Sequence, residues 1–377
     1  MRGRLLTRNG NPFGQGNTAV LSEIPLNDSP IRQTVLETYG VHAPLVAADL
    51  DRIALIDQYS SRCLLVDMDH KTVGQIMAPK GFMFGGHGVR LNGTSLFVAT
   101  LYHRSPKTKT DTGLLMVTDL TNGKIQDIKP SYGLQPHDMD MLPRGGGLVL
   151  AHRGSTLNHT GDTTKTYQKE VISPGLTVLA TDDLSFKKFV PIPHNAEVSH
   201  LAVRPDGQVL CCLNQKLNTT GRPPEEANNM VTQAFDGIDA LLDEIEVVQE
   251  SYGISLPLPG VLVNLESGKT SEYLPLPAHQ RQGQSVAVNS LTGIGVISYV
   301  RGSGLLFMTP DGKAKAINSR DIGLDNVTGL ADLPGTPYMA MCGFKNDLII
   351  VDVESHTPIL TRKMAMLGAA HLSVVAT

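Results

Sequence analysis

The chain contains no tryptophan, and aromatic residues make up only 5% of it. It also has little excess charge: the formal net charge is -4 and there is no long basic run. That balance argues against nucleic acid as a partner. No apolar stretch reaches the ~18 residues needed for a transmembrane helix. The start, MRGRLLTRNGNPFGQGN, is basic but is not followed by the apolar core of a signal peptide. The expectation is a protein that is either not exported or processed. Only four cysteines occur (Cys63, Cys211, Cys212 and Cys342), without zinc-site spacing and within apolar strand-like runs. They are expected to be buried free thiols, with adjacent Cys211 and Cys212 facing opposite sides of one strand. HExxH, GxSxG, P-loop and GxGxxG motifs are all missing, so nothing supports a nucleotide cofactor or a common hydrolase centre.

Glycine is abundant instead, at 37 residues, and Asn-Gly and Asp-Gly pairs recur. This composition favours a turn-rich β protein. The stretch from Gly133 to His159 shows the local plan. An alternating strand begins at Pro136-His137, turns at Pro143 to Gly147, and returns as Leu148-Val149-Leu150, followed by a loop with His152 and His159. A histidine opening a short apolar strand recurs elsewhere. Aligning the openings HAPLV, HGVRL, HDMDM, HLAVR, SVAVN, TGLAD and HLSVV puts His42, His87, His137, His200, Ser285, Thr328 and His371 in register. Their intervals are 45, 50, 63, 85, 43 and 43 residues. The shorter ones match a four-stranded propeller blade of ~40–50 residues, and the longer ones must hold insertions. The last opening is too close to the C-terminus for a whole blade, whereas the N-terminal strands near residues 19–39 can complete it. The predicted architecture is therefore all-β: one seven-bladed β-propeller domain over residues 1–377, closed by N- and C-terminal strands in one blade.

The longest interval contains an insertion over 222–251. Met230, Phe235, Ile238, Leu241, Leu242, Ile245 and Val248 fall at helical spacing, after Pro223-Pro224. Eight acidic residues against one basic make this a short acidic amphipathic helix. It either packs on the rim or serves as a lid or as a docking surface for a basic protein partner.

The repeat places equivalent residues around the central channel. Five of the seven positions are His: His42, His87, His137, His200 and His371. Neutral imidazoles facing one another suit zinc, copper, iron or nickel, so a metal ion or metal complex is the expected ligand. The alternative is a ring of hydrogen-bonded structural histidines. His103, His152 and His159, just after second strands or in loops, form a second tier. His70, His194, His279 and His356 are expected in exposed turns and linkers. Asp138 and Asp140, two apart on one strand, can point the same way as an acid-base pair would, but suit a turn or blade-to-blade hydrogen-bond role better. Gly85, Gly86 and Gly88 around His87 allow another group to approach closely.

The ordered strings GHGV, PHD with a following Leu-Pro turn, His-x-Gly-Asp, SPGL and HLAV-x-x-DG resemble the bacterial domain-of-unknown-function family 1513. The resemblance covers about His42 to His371. It implies a propeller, export to the periplasm (often by the twin-arginine route) and an association with iron uptake. The family's histidines fall here on His42, His87, His137, His159, His200 and His371. The family's Arg-His before GHG is Phe82-Met83 in this chain, its Arg-Arg pair is replaced near Gln58-Tyr59, and its Glu-Asn-Asp is Leu101-Tyr102-His103. The leading expectation is a propeller that binds iron or copper in metal acquisition or handling. The alternatives are a propeller hydrolase or lyase acting on a small molecule, and an interaction scaffold.

Overall fold

The structure, a computed structural model, describes residues 4–10, 19–27, 29–38, 41–58, 60–104, 106–159, 167–194, 196–214, 258–273, 282–300, 303–343, 347–363 and 370–375. The 222–251 insertion and His279 lie outside the described residues. Seven antiparallel four-stranded blades form the ring. Blade 1 shows the pattern: Val41–Ala47, Arg52–Asp57, Arg62–Val66 and Thr72–Met77 pair in sequence order from the axis to the rim. The innermost strands of blades 2 to 6 are Phe82–Arg90, Pro136–Leu142, Glu197–Val203, Gln282–Val288 and Val327–Asp332. Blade 7 joins both ends of the chain. Its innermost strand is Ala370–Val375, and Arg4–Gly10, Ala19–Pro25 and Arg32–Leu36 follow outward. The seventh blade thus closes as the sequence predicts, with an additional strand at residues 4–10 that its polar residues concealed.

Alternation along each strand explains the packing. Successive side chains point to opposite faces, so each blade feeds the two interfaces beside it. Seven apolar clusters result, one per blade–blade interface. Leu5 packs between blades 6 and 7, whereas Leu6 packs between blades 7 and 1. Cys211 and Cys212 divide in the same way, between the interfaces of blades 3–4 and 4–5. All four cysteines are buried free thiols, as expected. Burial pushes the Cys342 thiol up to about 12, which leaves it inert.

The inner strands share a device that positions the channel residues. In every blade the pairing of the first two strands slips at the axial end, between Val41 and Ala43, Phe84 and Gly88, Pro136 and Met139, Val198 and His200, Gly283 and Ser285, Val327 and Gly329, and at His371. A bulge re-aims a side chain out of the sheet plane. His42, His87, His137, Thr328 and His371 lie within these bulges. In blades 4 and 5 the bulge falls on Ser199 and Gln284 instead. His200 and Ser285 are therefore one residue out of the register that the sequence alignment gave them.

Candidate metal centre

Bulged inner strands of different blades deliver the five axial histidines to one place. His42 lies 4.7 Å from His87, 4.3 Å from His371 and 5.8 Å from His200 between ring centroids. His137 is 4.7 Å from His200 and 4.8 Å from His87. Four of the five, His42, His87, His200 and His371, each offer a nitrogen such that all four atoms lie within 4.8 Å of one another. Nitrogens bound to one ion at ~2.0–2.1 Å lie at most ~4.2 Å apart, so the widest of these pairs must close slightly for one ion to contact all four. His137 adjoins the set without belonging to it.

Glycine makes this convergence possible at one position. Gly86 has φ +97°, and a Cβ there would sit 2.7 Å from Cδ2 of His42. A bare backbone is needed both for the conformation and for the imidazole beside it. Gly85 and Gly88 instead accommodate backbone: added Cβ atoms would meet the Pro136 carbonyl oxygen at 2.8 Å and that of Val98 at 2.7 Å. Gly86→Ala is expected to destabilise the protein by ~1–3 kcal/mol and to displace His42. Urea unfolding and bound-metal stoichiometry measured together check this. A variant with unchanged stability would show that His42 does not occupy this position.

Of the five axial rings, two have a buried nitrogen without any hydrogen-bond partner: His87 at Nε2 and His200 at Nδ1. Buried polar atoms are normally satisfied, and an orphan needs a reason. The opposite nitrogens of both rings are occupied. His87 Nδ1 lies 3.1 Å from Asp138 Oδ1, and His200 Nε2 lies 3.3 Å from His137 Nε2. His42 and His371 share a 3.0 Å contact between their Nε2 atoms. Burial, followed by the neighbouring positive charges, pushes His42, His137 and His371 well below the usual histidine range. Burial likewise lowers His200 to about 3. The His42, His137, His200 and His371 rings are thus neutral at pH 7, with lone pairs available.

Asp138 ties three blades together. Burial alone would raise its pKa, but the His87 charge and hydrogen bond, with the Leu201 N–H, hold it below the usual carboxylate range. Its Oδ2 accepts from Leu201 N at 3.1 Å, and Asp140 Oδ2 accepts from Val203 N at 3.1 Å. Both aspartates therefore make the blade-to-blade bonds that the sequence suggests. The contact of Asp138 with His87 is an additional role that spacing along one strand does not reveal.

Two further groups reach the ring unannounced by the sequence. Tyr102 Oη lies 2.5 Å from His137 Nδ1, and an Arg153 Nη donates to His137 Nε2 at 3.2 Å. Arg153 is buried and lies over the Tyr102 ring, 5.6 Å from its centroid. Tyr102 occupies the segment where the resembled family has Glu-Asn-Asp. That departure was the signal available for it.

The second-tier histidines go elsewhere. His103 and His152 end strands Leu96–His103 and Gly147–His152 rather than following them. His103 stacks edge-on against Phe82 at 5.4 Å. His152 is fully buried, with Nε2 2.8 Å from Thr177 Oγ1, and fills the space left by Gly133. His159 ends Ser155–His159, which pairs with Tyr167–Val171 as an extra hairpin in place of the expected loop. The side chain of His159 is outside the described residues. His70 corrects another expectation: its turn has φ 63° and folds the ring inward, where Nδ1 meets Thr34 Oγ1 at 3.0 Å. It is buried between blades 7 and 1 rather than exposed.

Comparison with known proteins adds a family to this geometry. The sequence profile described as "Protein of unknown function (DUF1513)" matches residues 60–329, well over half of the chain. The chain belongs to the DUF1513 family. No curated protein matches this DUF1513 sequence. Among solved structures, 1367 chains match, which marks the fold as widely used and leaves function to the site. One is Kuenenia stuttgartiensis Hydrazine Synthase, with TM-score 0.57 and 10% identity, covering 90% of this chain and 96% of that one. At that identity the likeness concerns the fold alone.

Proposed function

We propose that this DUF1513 propeller binds one transition-metal ion, iron or copper, on its axis and serves bacterial metal acquisition or handling. The observation that carries the reading is the convergence of four imidazoles from four separate blades. Crowding such rings together without a ligand leaves His87 Nε2 and His200 Nδ1 buried and unpaired, at a cost of ~1–3 kcal/mol each. An ion resolves both. The donor set contains only imidazole, which suits copper, iron, zinc and nickel, and copper binds such a site most tightly among the divalent ions. On the family resemblance, we place the protein in the periplasm.

The test is elemental analysis of untagged protein purified without chelator, then incubated with Fe(II), Cu(II) and Zn(II) and passed through a desalting column. One equivalent of iron or copper retained per chain is expected. Protein that retains none of the three would overturn the reading.

A second reading is favoured by a specific contact set. The ring touches Asp138, Tyr102 and Arg153 as well as imidazoles. A carboxylate, a phenol and a guanidinium beside a metal are groups that can hold or move protons and orient an anionic small molecule. On this reading the protein is a metal-assisted enzyme, and metal-dependent turnover of a small-molecule panel distinguishes it from a carrier.

A further inference from the structure

We infer that His137 and Asp138 are outer-sphere positioning residues, each fixing the tautomer of one ligand, so that the ion is held by His42, His87, His200 and His371 alone. The inference rests on the metal-binding reading above and follows from which atoms can donate.

His137 comes first. Its Nδ1 lies 2.9 Å from the Gly85 carbonyl oxygen. A carbonyl only accepts, and the Tyr102 hydroxyl, 2.5 Å from the same nitrogen, can accept as well as donate, so Nδ1 carries the proton and Nε2 carries the lone pair. That lone pair already faces a donor, because an Arg153 Nη lies 3.2 Å away and arginine only donates. The His137 Nε2 lone pair is thus engaged with a permanent cation and is not free for a second positive charge. His200 Nε2, at 3.3 Å, faces the same nitrogen as a second, longer donor, so its proton shares that single lone pair with Arg153. The lone pair of His200 is left on Nδ1, which is the atom buried without a partner.

His87 repeats the logic with a different acceptor. The Asp138 carboxylate accepts at Oδ1, 3.1 Å from His87 Nδ1, while its position is pinned by the N–H groups of Leu201 at 3.1 Å and Met139 at 2.8 Å. Nδ1 is protonated, and the lone pair lies on the other orphan, Nε2. Carboxylates and other acceptors behind a ligating histidine raise its basicity and hold its ring in place. Here the two acceptors are consecutive residues of a single bulge, His137 and Asp138, between the paired residues Pro136 and Met139. One irregularity in blade 3 therefore orients ligands contributed by blades 2 and 4.

The experiment uses full-length protein loaded with Cu(II). Pulsed electron paramagnetic resonance on the wild type should count four coordinated imidazoles, and a count of five would overturn the inference. His137→Gln should keep one ion per chain and all four coordinated nitrogens while weakening binding ~10–100-fold, the range for outer-shell changes. Asp138→Ala should weaken binding by a similar factor. Asp138→Asn, which keeps an acceptor oxygen for His87, should recover part of that loss. Variants that lose a coordinated nitrogen at His137, or that bind as tightly as the wild type at both positions, would overturn it. If a variant fails to fold, the wild-type nitrogen count still decides. A wild type that binds no metal refutes the metal-binding reading itself, an outcome distinct from miscounted ligands.

Discussion

Replacing His87 and His200 together with alanine should abolish stoichiometric metal binding and leave the propeller folded. Both residues place an orphaned nitrogen in the axial cluster, so the double change removes two of four ligands. Loss of a single outer-shell group already costs ~10–100-fold in affinity, and losing two direct ligands must exceed that. The fold should survive because its stability is distributed. Seven separate interblade clusters hold the ring, and neither histidine belongs to any of them. Some stability is lost at Asp138, whose Oδ1 forfeits His87 but keeps the Met139 N–H. That should amount to ~1–3 kcal/mol. Isothermal titration with Cu(II), beside a circular-dichroism melt, separates the two effects. Unchanged affinity in a folded double variant would place the metal elsewhere or nowhere.

The architecture was legible because blades repeat. Each opening string begins within the inner-strand bulge or, in blades 4 and 5, one residue after it, and the openings stay recognisable even where insertions stretch the spacing between them. The ligand set was legible for the same reason: four of the five histidines picked by register form the convergent group, and the fifth adjoins it. What the sequence did not carry is the distinction between ligand and support. His137 has the same motif position as His87, yet its Nε2 is engaged by Arg153, which sits at the end of a neighbouring strand in the same blade. Tyr102 and Arg153 come from second strands and their ends, whose register against the axis no opening string defines. His70 failed differently. Its turn looks solvent-facing by composition, but a left-handed residue folds its ring under Thr34 of blade 7, a contact across the interface of two adjacent blades that turn composition does not show.

The cluster also makes the metal-free protein acid-sensitive. Burial lowers His42, His137 and His371 well below the usual range and His200 to about 3, and His152, buried outside the cluster, is lowered to about 3 as well. In the unfolded chain each titrates near 6.5. A depressed histidine contributes its stability above the unfolded value and loses it as pH falls, because the unfolded state takes up protons that the folded state refuses. Between pH 7 and pH 5 this amounts to ~2 kcal/mol for each such histidine. Asp140 opposes them. Burial raises it to about 6, so the folded state binds the extra proton there and gains stability as pH falls toward 4. Asp138, held below its ordinary value, acts in the same direction as the histidines but only below about pH 4. Five groups against one leave a net loss, which is large against the ~5–15 kcal/mol of a typical domain. Urea unfolding of chelator-treated protein should therefore show a midpoint that collapses between pH 7 and pH 5. Copper added at pH 6 should restore it, since an ion that binds only the folded state stabilises that state by mass action. A midpoint that is flat from pH 7 to pH 5 would mean that the axial rings are not buried and neutral, and the lone pairs on which the metal site depends would not be there.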